Sequence, residues 1–186
     1  MSRAWSSLEH LIAKGEVERT DALDAVAKSF QIRVSPQMQK QLGPERDDPI
    51  RMQFIPSEAE QTILERELYD PIGDHRFTPV EGVVHRYSNR ALLKVTQLCE
   101  VYCRFCFRKE MIGDKGESLS DLELQAAYRY FAQQEGISEV ILTGGDPLIL
   151  SNRRLEGVLS ELSDIEHIKI IRIHTRIPIV APHRID

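Results

Sequence analysis

The stretch ALLKVTQLCEVYCRFC, residues 91–106, runs from an apolar segment directly into a cluster of cysteines. Residues 91–96 have the composition of a buried β-strand. All three cysteines of the 186-residue chain follow in this stretch, as Cys99, Cys103 and Cys106. A loop that leaves the carboxyl end of a parallel strand is where α/β proteins place their ligands. The stretch therefore predicts an α/β fold with a metal or cofactor site at the end of this strand.

The number of cysteines favours one kind of metal site. Three thiolates can hold three irons of a four-iron cluster, which leaves the fourth iron without a protein ligand. An open coordination position is typical of a catalytic site rather than a structural one. Tyr102, Phe105 and Phe107 lie among the cysteines and would shield a cluster from water. The alternative is a zinc site in which His85 or His75 completes a set of three cysteines and one histidine.

The sequence on either side of the cysteines predicts two regions. We expect a helical N-terminal extension over residues 1–80 and a core of βα units over residues 81–186. Strands are predicted at 83–87, 91–96, 139–143 and 168–173, of which the last three form the core. A helix at 121–134, capped by Ser120 and Glu123, carries the apolar stripe Leu124, Ala127, Tyr128 and Phe131, and a later helix carries the stripe Leu155, Val158, Leu159 and Leu162. Such crossovers give a parallel sheet. Three core strands cannot close a barrel, so we expect the N-terminal part of a longer protein, or a truncated gene product, ending after the third core strand.

Helix starts are also readable in the N-terminal extension. Thr20 is predicted to cap a helix through about Phe30, and Ser35 to open a helix that ends near Gly43. A further helix is predicted over residues 57–67. The extension is therefore expected to consist of short, mostly polar helices.

Composition and charge exclude several classes of protein. A formal net charge of -5 argues against a broad nucleic-acid-binding surface. The first 20 residues lack the apolar run of a signal peptide, and no stretch approaches the roughly 18 to 20 apolar residues of a membrane span. An odd number of clustered cysteines argues against a disulfide framework. We therefore expect a cytoplasmic protein with neither a membrane nor a nucleic-acid partner.

A second motif, TGGDP at residues 143–147, follows the next predicted strand. Gly144 and Gly145 would let a ligand approach the backbone closely. The carboxylate of Asp146 could accept hydrogen bonds from an ammonium or hydroxyl group. A tight turn without a ligand is the alternative. Because the carboxyl ends of neighbouring parallel strands meet at one edge, we expect this motif to lie beside the cysteine loop.

The two motifs in this order resemble the radical S-adenosylmethionine superfamily, and the wider sequence is similar to the lysine 2,3-aminomutase family. Four runs carry the resemblance: HRYSNRALL at 85–93, CRFCFR at 103–108, LTGGDPL at 142–148 and RIHTRIP at 172–178. It covers residues 70–186 well and the first 70 residues loosely. It implies that residues 81–186 form an incomplete (β/α)6 radical SAM barrel.

The resemblance implies an isomerase with three cofactors. A [4Fe-4S] cluster on the three cysteines would bind S-adenosylmethionine through its open iron, and an electron from the reduced cluster would cleave it to a 5'-deoxyadenosyl radical. That radical would take a hydrogen from a lysine held on pyridoxal phosphate (PLP), and the amino group would move from carbon 2 to carbon 3. The residues contacting the methionine end of S-adenosylmethionine would be Gly144, Gly145 and Asp146. The lysine that carries PLP belongs to a C-terminal part of the family absent from this sequence, so we expect cluster and S-adenosylmethionine binding without a complete aminomutase reaction.

The same resemblance assigns roles to three arginines and a tyrosine. Arg86, Tyr87 and Arg90 would hold PLP, and Arg108 would pair with the substrate carboxylate. The planar guanidinium fork of arginine suits both phosphate and carboxylate. In one regular strand Arg86 and Arg90 would share a face while Tyr87 pointed to the other. A bend is therefore required if all three hold one ligand, and surface arginines without a ligand are the alternative.

The expected partners follow from the implied reaction. They are free lysine or a protein lysine, and a reductant of the flavodoxin or ferredoxin type. The chain could also form a homo-oligomer. Phe105 and Phe107 resemble the branch of the family that acts on a lysine of elongation factor P. Two further alternatives are a different radical modification, of RNA or a cofactor, and a non-catalytic zinc-stabilised binding module.

Overall fold

The computed structural model describes residues 3–113 and 117–185, which fall into two compact units. We call them the helical unit and the sheet unit. The described parts of residues 1–71, 99–114 and 177–186 form the helical unit, and those of 72–98 and 115–176 form the sheet unit. The cysteine segment, residues 99–106, thus belongs to the helical unit. The division at residue 80 stays a prediction.

The described residues form seven α-helices and four β-strands. The helices are α1 (Leu8–Ala13), α2 (Asp21–Ser29), α3 (Pro36–Gln39), α4 (Arg51–Phe54), α5 (Asp121–Gln133), α6 (Asn152–Ser163) and α7 (Ile177–Val180). The strands are β1 (Val83–Tyr87), β2 (Arg90–Thr96), β3 (Glu139–Gly144) and β4 (Ile170–Ile173). Among residues 3–113 and 117–185, no helix is long and apolar enough to cross a bilayer.

The sheet has the order β1-β2-β3-β4. Strands β2, β3 and β4 are parallel, and β1 pairs with β2 in antiparallel fashion. Because α5 and α6 connect the three parallel strands, the predicted βα pattern and the α/β fold class are confirmed. The carboxyl ends of β2 and β3 consequently lie side by side.

The core of the sheet unit lies between the sheet and its two long helices. Leu93 of β2 and Leu142 of β3 are fully buried against Phe131 of α5 and Leu162 of α6. On α5 the predicted stripe is confirmed, since Leu124, Ala127, Tyr128 and Phe131 are its buried residues. A core on this face leaves the alternate residues of β2 and β3 on the opposite face of the sheet.

The helix starts predicted from capping residues are confirmed, whereas two helix ends are wrong. Thr20 accepts from the backbone of Leu23 at 3.1 Å, and Ser120 and Glu123 form the predicted capping box. The helix opened by Ser35 ends at Gln39 rather than near Gly43. Residues 57–67 hold only a short 3-10 helix, Glu58–Gln61. The residues that follow it are exposed, so no buried face stabilises a longer helix.

Candidate cofactor-binding site

The cysteine segment contains three half-buried thiols, none of which forms a disulfide. The backbone N–H of Cys106 donates to the carbonyl of Cys103 at 3.0 Å, and the carbonyl of Cys106 accepts from Lys109 at 3.1 Å. These bonds form consecutive turns that bring the last two cysteines close along the chain. The donor chemistry fits an iron–sulfur cluster, since three thiols without disulfides lie within one short loop.

The thiols are not grouped as a ready set of metal ligands. In the part of the chain that the structure describes, no three His, Cys, Asp or Glu side chains are arranged to hold a metal ion. Of the two histidines considered for zinc, His85 has another contact, since its Nδ1 lies 2.6 Å from the hydroxyl of Tyr130. Nothing in the structure therefore favours the zinc alternative over a cluster.

The turn after β3, Gly144-Gly145-Asp146, is tied to the residues that lead into the cysteine segment. We call it the glycine turn. The N–H of Gly145 donates to the carbonyl of Thr96 at 2.6 Å, and the N–H of Asp146 donates to the carbonyl of Leu98 at 2.8 Å. Leu98 directly precedes Cys99 in the sequence. Two backbone hydrogen bonds thus join the glycine turn to the stem of the cysteine segment.

Both glycines are required by this close approach. Gly144 has a φ of 123°, and a Cβ there would lie 2.2 Å from the carbonyl oxygen of Thr96. A Cβ on Gly145 would lie 2.0 Å from the carbonyl oxygen of Leu98. Any larger side chain would push the two segments apart. The fold itself therefore demands the glycines that the sequence suggested for ligand contact.

The carboxylate of Asp146 accepts three hydrogen bonds from the chain itself. Its Oδ1 accepts from the hydroxyl of Thr175 at 2.6 Å and from the N–H of Leu148 at 3.0 Å. Its Oδ2 accepts from the N–H of Arg176 at 2.7 Å. The side chain is buried, with 6% of the residue exposed. Asp146 thus links the glycine turn to the residues after β4, a role that the sequence did not indicate.

The residues predicted to hold PLP lie at the tip of the β1–β2 hairpin. Ser88 and Asn89 form the turn, and Tyr87 pairs with Arg90 across it. The bend required by the sequence argument is therefore present. The guanidinium of Arg90 lies 5.9 Å from the centre of the Tyr87 ring. The hairpin thus brings one arginine and the exposed tyrosine together.

Arg86 points toward a neighbouring loop instead. Its Nη2 donates to the carbonyl of Ile72 and lies 3.5 Å from the carboxylate of Asp74. Its guanidinium also lies 4.7 Å from the centre of the Phe77 ring. Because Asp74 is an anion, a phosphate bound by Arg86 would have to compete with it.

The residue predicted to pair with the substrate carboxylate lies in the helical unit. The guanidinium of Arg108 lies 4.7 Å from the centre of the Phe107 ring. Phe105 and Phe107 expose 64% and 51% of their surface. These two aromatic residues are thus accessible, whereas Tyr102, directly before Cys103, is buried against Phe30.

Sequence reasoning missed a group of buried polar residues on the face of the sheet opposite the core. Lys94 and Thr96 of β2 and Thr143 of β3 are each less than 8% exposed. Lys94 and Thr143 are register partners, and the hydroxyl of Thr96 accepts from Ser118 at 3.0 Å. The alternation of apolar and polar residues along β2 was the available signal.

The sequence profile of the radical SAM superfamily matches residues 93–185, half of the chain. The chain belongs to the radical SAM superfamily. Membership implies a [4Fe-4S] cluster and S-adenosylmethionine as cofactors. The matched residues include the cysteine segment and the glycine turn, the two features that the sequence singled out.

Curated relatives extend the match to most of the chain. L-lysine 2,3-aminomutase of Methanococcus maripaludis is 41% identical over 138 residues, which is 74% of this chain and 32% of the relative. L-lysine 2,3-aminomutase of Clostridium subterminale is 33% identical over 169 residues, 90% of this chain and 41% of the relative. The Bacillus subtilis protein of the same name is 35% identical over 159 residues, which is 85% of this chain and 34% of the relative. This member of the radical SAM superfamily therefore spans well under half the length of these relatives.

Proposed function

We propose that this chain carries the cluster-binding and S-adenosylmethionine-binding part of an isomerase of the lysine 2,3-aminomutase type. The observation that carries the proposal is the backbone pairing of the glycine turn with Thr96 and Leu98, the residues that lead into the cysteine segment. The identity of 41% to a lysine 2,3-aminomutase supports the choice of reaction. The two motifs that the proposed chemistry uses together are thus joined through one stem.

In this proposal Cys99, Cys103 and Cys106 hold three irons of a [4Fe-4S] cluster, which supplies the electron for reductive cleavage of S-adenosylmethionine. Thiolates are the protein ligands that such clusters require, and none of the three thiols is in a disulfide. Because they are not grouped as a ligand set, their side chains must turn toward a common centre to hold the cluster.

The glycine turn would contact the methionine end of S-adenosylmethionine. Gly144 and Gly145 carry no side chain, so a ligand can approach their peptide groups closely. The carboxylate of Asp146 accepts three hydrogen bonds from its own chain. Asp146 would therefore serve mainly by fixing the turn in the shape that the ligand meets.

The remaining proposed contacts concern PLP and lysine. Tyr87 and Arg90 would hold PLP at the hairpin tip, with Arg86 as a further phosphate ligand. Arg108 would pair with the carboxylate of the substrate, for which a guanidinium fork is suited. The substrate would be free lysine, with a lysine of elongation factor P as the second candidate. A flavodoxin- or ferredoxin-type protein would supply electrons, and a homo-oligomer stays a prediction.

Anaerobic reconstitution of the chain with iron and sulfide tests the proposal. We expect about four irons and four sulfides per chain, and formation of 5'-deoxyadenosine from S-adenosylmethionine with dithionite as reductant. The single variants Cys99→Ala, Cys103→Ala and Cys106→Ala should each lose the cluster. Stoichiometric zinc without cleavage of S-adenosylmethionine would contradict the proposal.

The aminomutase assignment needs a separate measurement. With PLP and free lysine added, formation of β-lysine would support the reaction. Cleavage of S-adenosylmethionine without β-lysine is the result expected of this chain by itself, because its sequence does not contain the lysine expected to carry PLP. A protein lysine is tested separately, with elongation factor P as the substrate.

A further inference from the structure

We propose that the ion pair between the buried Arg104 and the half-buried Glu60 positions the cysteine segment, and that the N-terminal helices serve as the platform for the cluster. We call this ion pair the Arg104 clamp. The proposal rests on the proposed cluster at the three cysteines. Arg104 lies directly between Cys103 and Phe105, so its side chain fixes the backbone between two ligands.

The guanidinium of Arg104 is held on several sides. Its Nε lies 3.1 and 3.2 Å from the two carboxylate oxygens of Glu60, and its Nη2 lies 2.6 Å from Oε2. Its Nη1 donates to the carbonyl of Gln31 at 2.9 Å. The ring of Phe30 covers its face at 4.7 Å. With only 5% of this side chain exposed, the guanidinium has one well-defined position.

The backbone of the cysteine segment is held at three further points. The N–H of Arg104 donates to the carbonyl of Gln53 at 2.8 Å, and the N–H of Tyr102 donates to the carbonyl of Arg33 at 3.0 Å. The Nε of Arg33 returns a bond to the carbonyl of Glu100 at 3.0 Å. Three positions in the segment are therefore bound to the residues around α2 and α4.

These contacts have a consequence for ligand geometry. A loop that must order itself around a cluster loses conformational entropy at that moment, which weakens binding. A segment that is already held by its own protein loses less. The Arg104 clamp is placed to provide this preorganisation, because it fixes the chain between Cys103 and Cys106 without using a thiol. Arg104 and Glu60 are thus positioning residues rather than ligands.

The chain contains a matched control for this ion pair. Arg51 and Glu16 form a second pair in the helical unit, also with an N–O distance of 2.6 Å. The side chains of Glu16 and Glu60 are 20% and 26% exposed. Both line the same cavity of about 670 Å³, so water can reach an amide introduced at either position. The variants Glu60→Gln and Glu16→Gln should therefore both fold.

Amide hydrogen exchange of the chain without added iron tests the positioning itself. In Glu60→Gln we expect the amides of Tyr102 and Arg104 to exchange roughly tenfold faster than in the wild type. In Glu16→Gln these two amides should be unchanged. Arg104→Lys should resemble Glu60→Gln, because an ammonium keeps the charge but lacks the fork. Glu60→Asp should restore part of the protection.

Iron retention tests the link to the cluster. After anaerobic reconstitution, we expect a chelator to remove iron from Glu60→Gln several-fold faster than from Glu16→Gln. Equal effects of the two variants on exchange and iron loss would overturn the proposal, because the pair would then act only through general stability. Faster exchange with unchanged iron loss would also overturn it. A wild type that takes up no iron would defeat the proposed function, while the exchange comparison would still decide whether the clamp positions the segment.

Discussion

The hydroxyl of Thr175 donates a hydrogen bond of 2.6 Å to the carboxylate of Asp146, although 29 residues separate them in the sequence. The contact joins the residues after β4 to the glycine turn after β3. The adjacent N–H of Arg176 donates to the other oxygen of the same carboxylate. One buried side chain thereby fixes two strand ends of the parallel sheet.

Removing the Thr175 hydroxyl should loosen the glycine turn. We expect Thr175→Val to cost about 1–2 kcal/mol of unfolding free energy, because the buried carboxylate loses a donor. If the turn holds S-adenosylmethionine, its affinity should fall in the same variant, which equilibrium dialysis would measure. Thr175→Ser keeps the hydroxyl and should retain most of both quantities. Equal losses in the serine and valine variants would show that the hydroxyl is not what matters.

Adding one methyl group at Gly145 should separate the turn from the stem of the cysteine segment. The new Cβ in Gly145→Ala would lie 2.0 Å from the carbonyl oxygen of Leu98, so the backbone must shift. We expect a loss of about 2 kcal/mol or more in stability, comparable to an overpacked core, and loss of S-adenosylmethionine cleavage.

The matched control for this substitution is Gly157→Ala. Gly157 lies within α6, and a Cβ there would meet nothing within 4 Å. Because alanine is the better helix former, this variant should gain roughly 0.5–1 kcal/mol. Chemical denaturation of both proteins measures the two effects. Unchanged stability in Gly145→Ala would contradict the close approach of the turn and the stem.

Neutralising Asp74 should test whether Arg86 binds phosphate. The Asp74 carboxylate lies 3.5 Å from Nη2 of Arg86 and competes with any other anion there. We therefore expect Asp74→Asn to raise the affinity for PLP and Arg86→Gln to lower it, each by a few-fold. Arg90→Gln should also lower it. Titration of PLP absorbance gives the affinities, and a weaker Asp74→Asn complex would argue against Arg86 as a ligand.

Stability should fall at high pH because of one tyrosine in α5. Burial, together with the negative charge of Glu161, raises the pKa of Tyr128 from its ordinary value near 10 to about 12. The unfolded chain therefore loses this proton first, so the unfolding free energy falls as the pH rises from about 10 to 12. The slope from this group approaches about 1.4 kcal/mol per pH unit. Comparing the wild type with Tyr128→Phe measures it, since the variant should lack this part of the slope.

Local signals in the sequence predicted much of the sheet unit. The reciprocal cap of Ser120 and Glu123 and the apolar stripe of α5 both depend on residues within a few positions of one another. The helix predicted over residues 57–67 has the right start but the wrong length. The capping box of Ser57 with Glu60 forms, yet Ile63 is 78% exposed and no tertiary contact continues the helix. The length of a helix depends on how far its residues are buried by tertiary contacts, and a local sequence pattern does not show those contacts.

Local sequence patterns could not predict the contacts that organise the candidate site, because these contacts join residues far apart in the sequence. The partners of Arg104 lie 44 and 73 residues away, and Asp146 meets Thr175 only because β3 and β4 are parallel neighbours. The resemblance assigned Asp146 to a ligand and gave no sign of its hydrogen bonds within the chain. A single sequence shows which residues are polar, but it does not show which of them form hydrogen bonds or ion pairs with one another.

The division of the helical unit into three separate stretches of chain has a consequence for folding during synthesis. The hydroxyl of Ser35 donates to the carbonyl of Val180 at 2.5 Å, across 145 residues of sequence. Ile177, Val180 and Ala181 are almost fully buried. The ribosome must therefore synthesise the chain as far as about residue 180 before the N-terminal helices can pack against these residues. We expect nascent chains released before residue 177 to leave apolar surface uncovered, and to depend on chaperones more than the intact sheet unit does.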